Sequence, residues 1–345
     1  MKPLHKAALL TALAVFCFAA EQPAGRSIEA KVIPVPKDIS PELQKAIAPA
    51  WAGSKSGWNL SAAEWKALEK QREEAGAKGF QPVKEKLHVT VTEERIAGVR
   101  SYRVKPQTIA TENKNRLLVH VHGGGYTFGG GEGAAREASL AAYFGKIEVV
   151  SVDYRMPPDF PFPAAIDDSI AVWKEVTKGR SAKNVGLFGT STGGGMTLAM
   201  VLKLKEMKSP LPGAIMAGTP WCDLTKTGDT FSTNEYVDNV LGSYDGWLDA
   251  AAKLYAGGHD LKEPLISPYY GDVKGFPPSI LISGTRDLFL SITAKMHQKL
   301  PQSGNVSELL VFEGQSHAQY NVVDAPETTA AWTEVSKFFD KHLGN

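Results

Sequence analysis

Six apolar runs recur along the chain, near residues 116–122, 148–154, 184–189, 213–218, 279–284 and 308–313, with helical spacing between them. Each run is continuously apolar rather than alternating, as in strands buried on both faces. Strand and helix in regular alternation predict an α/β fold, a mostly parallel sheet of about eight strands covered by helices on both sides. Ahead of these runs, His88–Thr92 and Gly98–Val104 alternate apolar and polar positions and predict an antiparallel edge pair. From Pro41 to about Gly79 the spacing is helical, with Ser61 placed as an N-cap and Glu64 as its capping-box partner. Residues 21 to about 40 are rich in proline and charge and are expected to lie extended on the surface. The alternation breaks between Trp221 and about Asp260, where a polar loop (Thr225 to Asn239) precedes a helical stretch, Trp247–Ala256.

The chemistry sits where strands are expected to end. Gly189-Thr190-Ser191-Thr192-Gly193 follows the run Val185–Phe188 and opens a helical stretch, so Ser191 occupies a G-x-S-x-G turn between strand and helix. Side chains two places either side of the serine would meet backbone, and glycine removes them. His122-Gly123-Gly124-Gly125-Tyr126 follows the run Leu117–Val121. Glycines there let backbone amides converge on one point, a way to hold a negative oxygen. A phosphate-cradling P-loop would need Gly-Lys-Ser/Thr, and a dinucleotide site G-x-G-x-x-G; neither follows this strand. The amides of Gly124, Gly125 (or Gly123) and Thr192 are the candidate donors.

A serine hydroxyl needs a base. Of eight histidines, His317 stands alone on a loop after an apolar strand, Leu309–Phe312, and before a C-terminal helix. A base in turn needs a carboxylate to hold its ring. Asp287 follows the strand Ser279–Ser283, whereas Asp168, Asp223 and Asp238 follow no strand in the order Ser…Asp…His.

These motifs resemble the bacterial hormone-sensitive-lipase-like (family IV) esterases of the α/β-hydrolase superfamily. The likeness extends through Asp153-Tyr154-Arg155-Met156-Pro157-Pro158, Phe162-Pro163-Ala164-Ala165 and Asp167-Asp168, and covers roughly residues 86–342. Thr190 occurs in one subgroup of that family, while Thr192 replaces the usual alanine and Ser291 stands where a second carboxylate often follows the acid. The resemblance implies an α/β-hydrolase domain over residues 86–345 with a helical cap, its N-terminal part in residues 21–85 and a second segment at about 222–260. Trp51, Trp58, Trp65, Tyr236 and Trp247 either line a pocket in that cap or pack it onto the core. It also implies a serine carboxylesterase acting on short- to medium-chain acyl esters through an acyl-enzyme on Ser191, with no cofactor. An amidase or peptidase with the same triad, or a silent small-ligand receptor, is the alternative.

Composition narrows the partners. A formal net charge of +1 across 345 residues predicts no nucleic-acid binding. Lys2, His5 and Lys6 precede an apolar stretch, Ala7–Ala20, and then Glu21-Gln22-Pro23, the layout of a secretory signal peptide over residues 1–20. Export to the periplasm or medium is therefore expected, and cytoplasmic residence if the leader stays unprocessed. The run is short for a bilayer, so no stable membrane span is expected. Once the leader is removed Cys222 is the sole cysteine, which excludes an intramolecular disulfide. His120-x-His122 lacks a third ligand nearby, so no metal is expected. The resemblance implies a small-molecule ester as the partner, and a homodimer is compatible with the sequence.

Overall fold

The chain's architecture comes from a computed structural model that describes Gly25, Ala30 and residues 32–344. The expected leader lies outside the described residues. From Val35 onward the chain forms one unit. A hairpin of β1 (Thr90–Ile96) and β2 (Val99–Lys105) opens the sheet, followed by β3 (Leu117–Val121), β4 (Val149–Val152), β5 (Val185–Thr190), β6 (Ala214–Gly218), β7 (Ser279–Gly284) and β8 (Ser307–Phe312). Their spatial order is β1-β2-β4-β3-β5-β6-β7-β8. β2 runs antiparallel to both neighbours and the remaining pairs are parallel. The α/β-hydrolase fold expected from the sequence is therefore the fold observed.

Every residue of β3 to β7 is buried. Alternate side chains still separate onto two cores, because successive Cβ atoms point to opposite faces. Val119, Val121, Leu187, Ile215 and Leu281 face one core, shared with helices α4 (Ala164–Val176), α5 (Thr192–Glu206) and α8 (Leu290–Gln302). Leu118, Phe188, Met216, Ile280 and Ile282 face the other, shared with α3 (Ala135–Gly145) and α9 (Pro326–His342). Cys222 is buried, and burial pushes its thiol well above the usual range. Among the described residues no helix is long and apolar enough to cross a membrane.

Three expectations need correction. The helical pattern from Pro41 to Gly79 is two helices, α1 (Pro41–Ile47) and α2 (Ala62–Leu87), because Pro49, Gly53 and Gly57 interrupt it. α2 runs past Gly79 and through Pro82 because Phe80, Val83 and Leu87 bury against the sheet core, which outweighs local propensity. His88 does not begin a strand: it caps α2 in the left-handed conformation, and the strand starts at Thr90. Ser61 caps the other end, with the reciprocal Glu64 bond in place. In the inserted stretch, a four-residue helix α6 (Thr230–Thr233) precedes α7 (Asp249–Ala256), which begins two residues later than its pattern suggested. Gly246 adopts φ +107° just before it and breaks the helical run there.

Candidate active site

Parallel strands deliver their ends to one edge of the sheet, and the candidate residues leave from those ends. Ser191 sits between β5 and α5 at φ 65°, ψ −124°, a backbone conformation few side chains adopt. Its amide donates to Gly218 O at 2.8 Å, and its carbonyl accepts from Trp221 N at 2.9 Å and Gly195 N at 3.0 Å. The strained turn is thus pinned from β6 as well as from its own helix. A Cβ on Gly193 would lie 2.1 Å from Val121 O, and one on Gly189 2.2 Å from the same atom. The two glycines of the motif are therefore required by the end of β3, which passes directly against the turn.

That strand end carries the glycine loop. A Cβ on Gly123 would stand 3.2 Å from Ser191 Cβ and 2.8 Å from Thr190 O, which places the loop against the serine. Gly124 and Gly125 take φ of +114° and +67°, and Gly124 O accepts from Phe128 N at 2.9 Å, so the loop closes on itself. Thr192 N, in the first turn of α5, has no intrahelical carbonyl to reach. Gly123 and Thr192 thus flank the serine, and Gly124 and Gly125 follow in the same loop.

Asp287 and His317 leave from the next strand ends. His317 Nδ1 lies 3.1 Å from Asp287 Oδ1, and both side chains are buried. Phe289 N (2.9 Å) and Ser283 Oγ (2.8 Å) also donate to the Asp287 carboxylate. An acceptor at Nδ1 fixes that nitrogen as the protonated one. Nε2 keeps its lone pair, buried and without a hydrogen-bond partner among the described residues. Phe289 packs its edge on the His317 ring (4.9 Å) and stacks on Trp221 (5.5 Å), which bonds Ser191 O. Serine and histidine are thereby tied through one aromatic contact chain. The carboxylates passed over in the sequence are committed elsewhere: Asp168 to Arg155, and Asp223 to Thr225 and Thr227.

Asp238 is the exception. Fully buried, it accepts from Leu288 N (2.9 Å), Val240 N (2.9 Å) and Leu241 N (3.0 Å), which fastens the inserted segment to the residue after Asp287. Burial, and then the charge of Asp287, push its carboxyl upward, with His317 opposing. Beside it, Asn239 N donates to Ser316 Oγ, and Asn239 Oδ1 accepts from Gln319 Nε2 (3.1 Å). The loop bearing His317 thus hangs on the inserted segment. Beneath the serine, Thr190 Oγ1 bonds Glu137 and Tyr320 OH, and Glu137 also meets His120 Nε2 at 3.0 Å. None of Asp238, Asn239, Glu137 or Tyr320 carried a local sequence signal.

His122 supports the glycine loop. Its ring stacks on Tyr154 (4.0 Å), and Nδ1 donates to Gly123 O at 2.8 Å. Tyr154 OH donates to His122 O at 2.7 Å. Burial lowers its pKa to about 4, against the opposing charge of Asp153. At 4.0 Å from Nε2, Asp153 is too distant for a hydrogen bond. A folded-state pKa below the ordinary histidine value means that the unfolded chain binds the extra proton first. Stability from this group is present above about 6.5 and drains away as pH falls toward about 4. The expected loss across that window is about 3 kcal/mol. His122→Asn should flatten the fall in Tm between those pH values; an unchanged slope would contradict it.

A cavity of about 710 Å³ opens over the glycine loop, lined by Gly123, Gly124, Phe128, Trp51, Trp58, Trp247 and Leu241 among others. Three of the five aromatic side chains in question, Trp51, Trp58 and Trp247, line it. Trp65 is buried behind, packed on Phe128 (5.8 Å) and Trp58 (5.9 Å), while Tyr236 is exposed. Among the described residues no cluster of three or more His, Cys, Asp or Glu is arranged to hold a metal ion.

Residues 118–321 match a family described as having the alpha/beta hydrolase fold. The crystal structure of an esterase, E25, is similar over 93% of this chain and 99% of that one, with 41% identity and a TM-score of 0.89. The chain belongs to the α/β-hydrolase fold family. The crystal structure of an esterase from the bacterial hormone-sensitive lipase family shares the fold, at 24% identity over 83% of this chain and 100% of that one, with a TM-score of 0.70. An esterase of Acinetobacter venetianus is 28% identical over 249 residues, covering 71% of this chain and 80% of that one. An acetyl-hydrolase of Streptomyces hygroscopicus is 30% identical over 190 residues, 55% of this chain and 63% of that one. The match to this last relative spans a little under two thirds of its length.

Proposed function

We propose that the chain is a serine carboxylesterase that hydrolyses short- to medium-chain acyl esters through an acyl-enzyme on Ser191. The observation that carries this reading is the buried His317–Asp287 pair, whose remaining ring nitrogen has no partner among the described residues, at the sheet edge where Ser191 stands against the glycine loop. Ser191 Oγ attacks the ester carbonyl while His317 Nε2 takes its proton, and Asp287 stabilises the imidazolium. Amides of Gly123–Gly125 and Thr192 hold the oxyanion. The imidazolium protonates the departing alkoxide. Water then attacks the acyl-enzyme by the same route, releasing the acid and restoring Ser191. Residues of α1, α2 and the stretch 222–260 serve as the cap.

A cavity of about 710 Å³ with aromatic walls suits a small molecule better than a lipid surface. Hydrolysis of p-nitrophenyl esters from acetate to palmitate is the direct test. The expected profile peaks at short acyl chains and falls steeply toward palmitate. Faster turnover of palmitate, or of emulsified long-chain triglyceride, would overturn the preference, and inertness toward every ester would overturn the activity.

A further inference from the structure

The cavity over the glycine loop has one charged residue in its lining, Arg72. Arg72 lies on α2 seven residues after Trp65, two helical turns on, so both share the face turned to Phe128. The Arg72 guanidinium carbon stands 5.8 Å from the Phe128 ring centre, and Phe128 stacks on Trp247. No carboxylate pairs with Arg72 among the described residues. Its acidic neighbours on α2, Glu69 and Glu73, line a different cavity, alongside Asp153, and Glu73 is taken by Arg100. The rest of the lining is indole, phenyl and aliphatic side chains and glycines with Asn239, Ser54 and Ser243, none of them anionic. A cation left unpaired in a substrate-sized, largely aromatic cavity selects for a complementary charge on what enters.

We infer that the site favours esters bearing a second, anionic group, a carboxylate remote from the scissile carbonyl, and that Arg72 recognises it. This rests on the ester-hydrolase reading above. The substrate class is the monoester of a dicarboxylic acid. Water supplies the oxygen of the new carboxylate, the alcohol departs with a proton from His317, and a dicarboxylate is released. The neutral diester has the same scissile bond and lacks only the charge.

The test uses monoethyl and diethyl esters of dicarboxylic acids from succinate to suberate, with the ratio of kcat/KM for monoester over diester read at each length. The wild-type protein, Arg72→Gln and Arg72→Lys are compared at low and at high salt. Arg72→Gln should lower the ratio about fivefold at the best chain length, the upper range for a partly solvated charge pair. Arg72→Lys should keep most of it, and high salt should compress the wild-type ratio toward that of Arg72→Gln. Arg72 is exposed, so matched Tm values are expected to show that all three fold. Turnover of the diesters with one common ratio in all three proteins would overturn the role of Arg72 and leave the esterase reading standing. Failure of the wild type to cleave any ester in either series would overturn both.

Discussion

Replacing Ser191 by alanine is expected to lower ester turnover roughly a millionfold, as loss of the nucleophile does in serine hydrolases. The fold should barely notice. Ser191 Oγ makes no hydrogen bond among the described residues, and the bonds that hold the turn run through the Ser191 backbone to Gly218, Trp221 and Gly195. Alanine keeps that backbone and faces the same conformational strain at φ 65°. The measurement pairs burst kinetics on p-nitrophenyl butyrate with a melting curve. A matched Tm with no burst and no turnover fits the nucleophile reading. Wild-type turnover in Ser191→Ala would remove Ser191 from the reaction.

Asp287→Asn is expected to cost about ten-thousandfold in kcat, with KM little changed. The reason is the direction of the bonds around the carboxylate. Asp287 accepts from His317 Nδ1, Phe289 N and Ser283 Oγ, so every surrounding group is a donor. Asparagine brings donors of its own. If its NH2 turns to His317, the ring must accept there and carry its proton on Nε2, the wrong tautomer for a base. Asp238→Asn should cost far less, because Asp238 meets the backbone amides of Leu288, Val240 and Leu241 and not the His317 ring. Equal losses in kcat for the two variants would show that the acid has been assigned to the wrong carboxylate.

The contrast between these two aspartates shows what sequence could and could not reveal. Asp287, Ser191 and His317 each follow a strand end, and strand ends are visible as apolar runs that stop. The glycines at 189, 193 and 123 were legible for a related reason: each is needed where backbone passes too close for a side chain. Asp238 lies in an irregular loop 49 residues before Asp287, and only the tertiary bond from Leu288 N brings the two together. Glu137, brought under Thr190 from α3, was hidden likewise. The break between α1 and α2 was written in Pro49, Gly53 and Gly57, yet the helical spacing on either side masked it. The passage of α2 through Gly79 and Pro82 was not written locally at all, since it depends on a core contributed by other strands.

The insertion between β6 and β7 contributes Leu241, Ser243 and Trp247 to the cavity, while Asp238 and Asn239 in the same stretch hold the loops that carry Asp287 and His317. One length of chain therefore supplies part of the cavity wall and also the fastenings of the two loops. An engineer who grafts a relative's segment here to change the accepted ester would also replace the fastenings of the Asp287 and His317 loops. Graded substitutions at the cavity-facing positions, with Asp238 and Asn239 left in place, are the route by which this scaffold can acquire a new substrate without losing its rate.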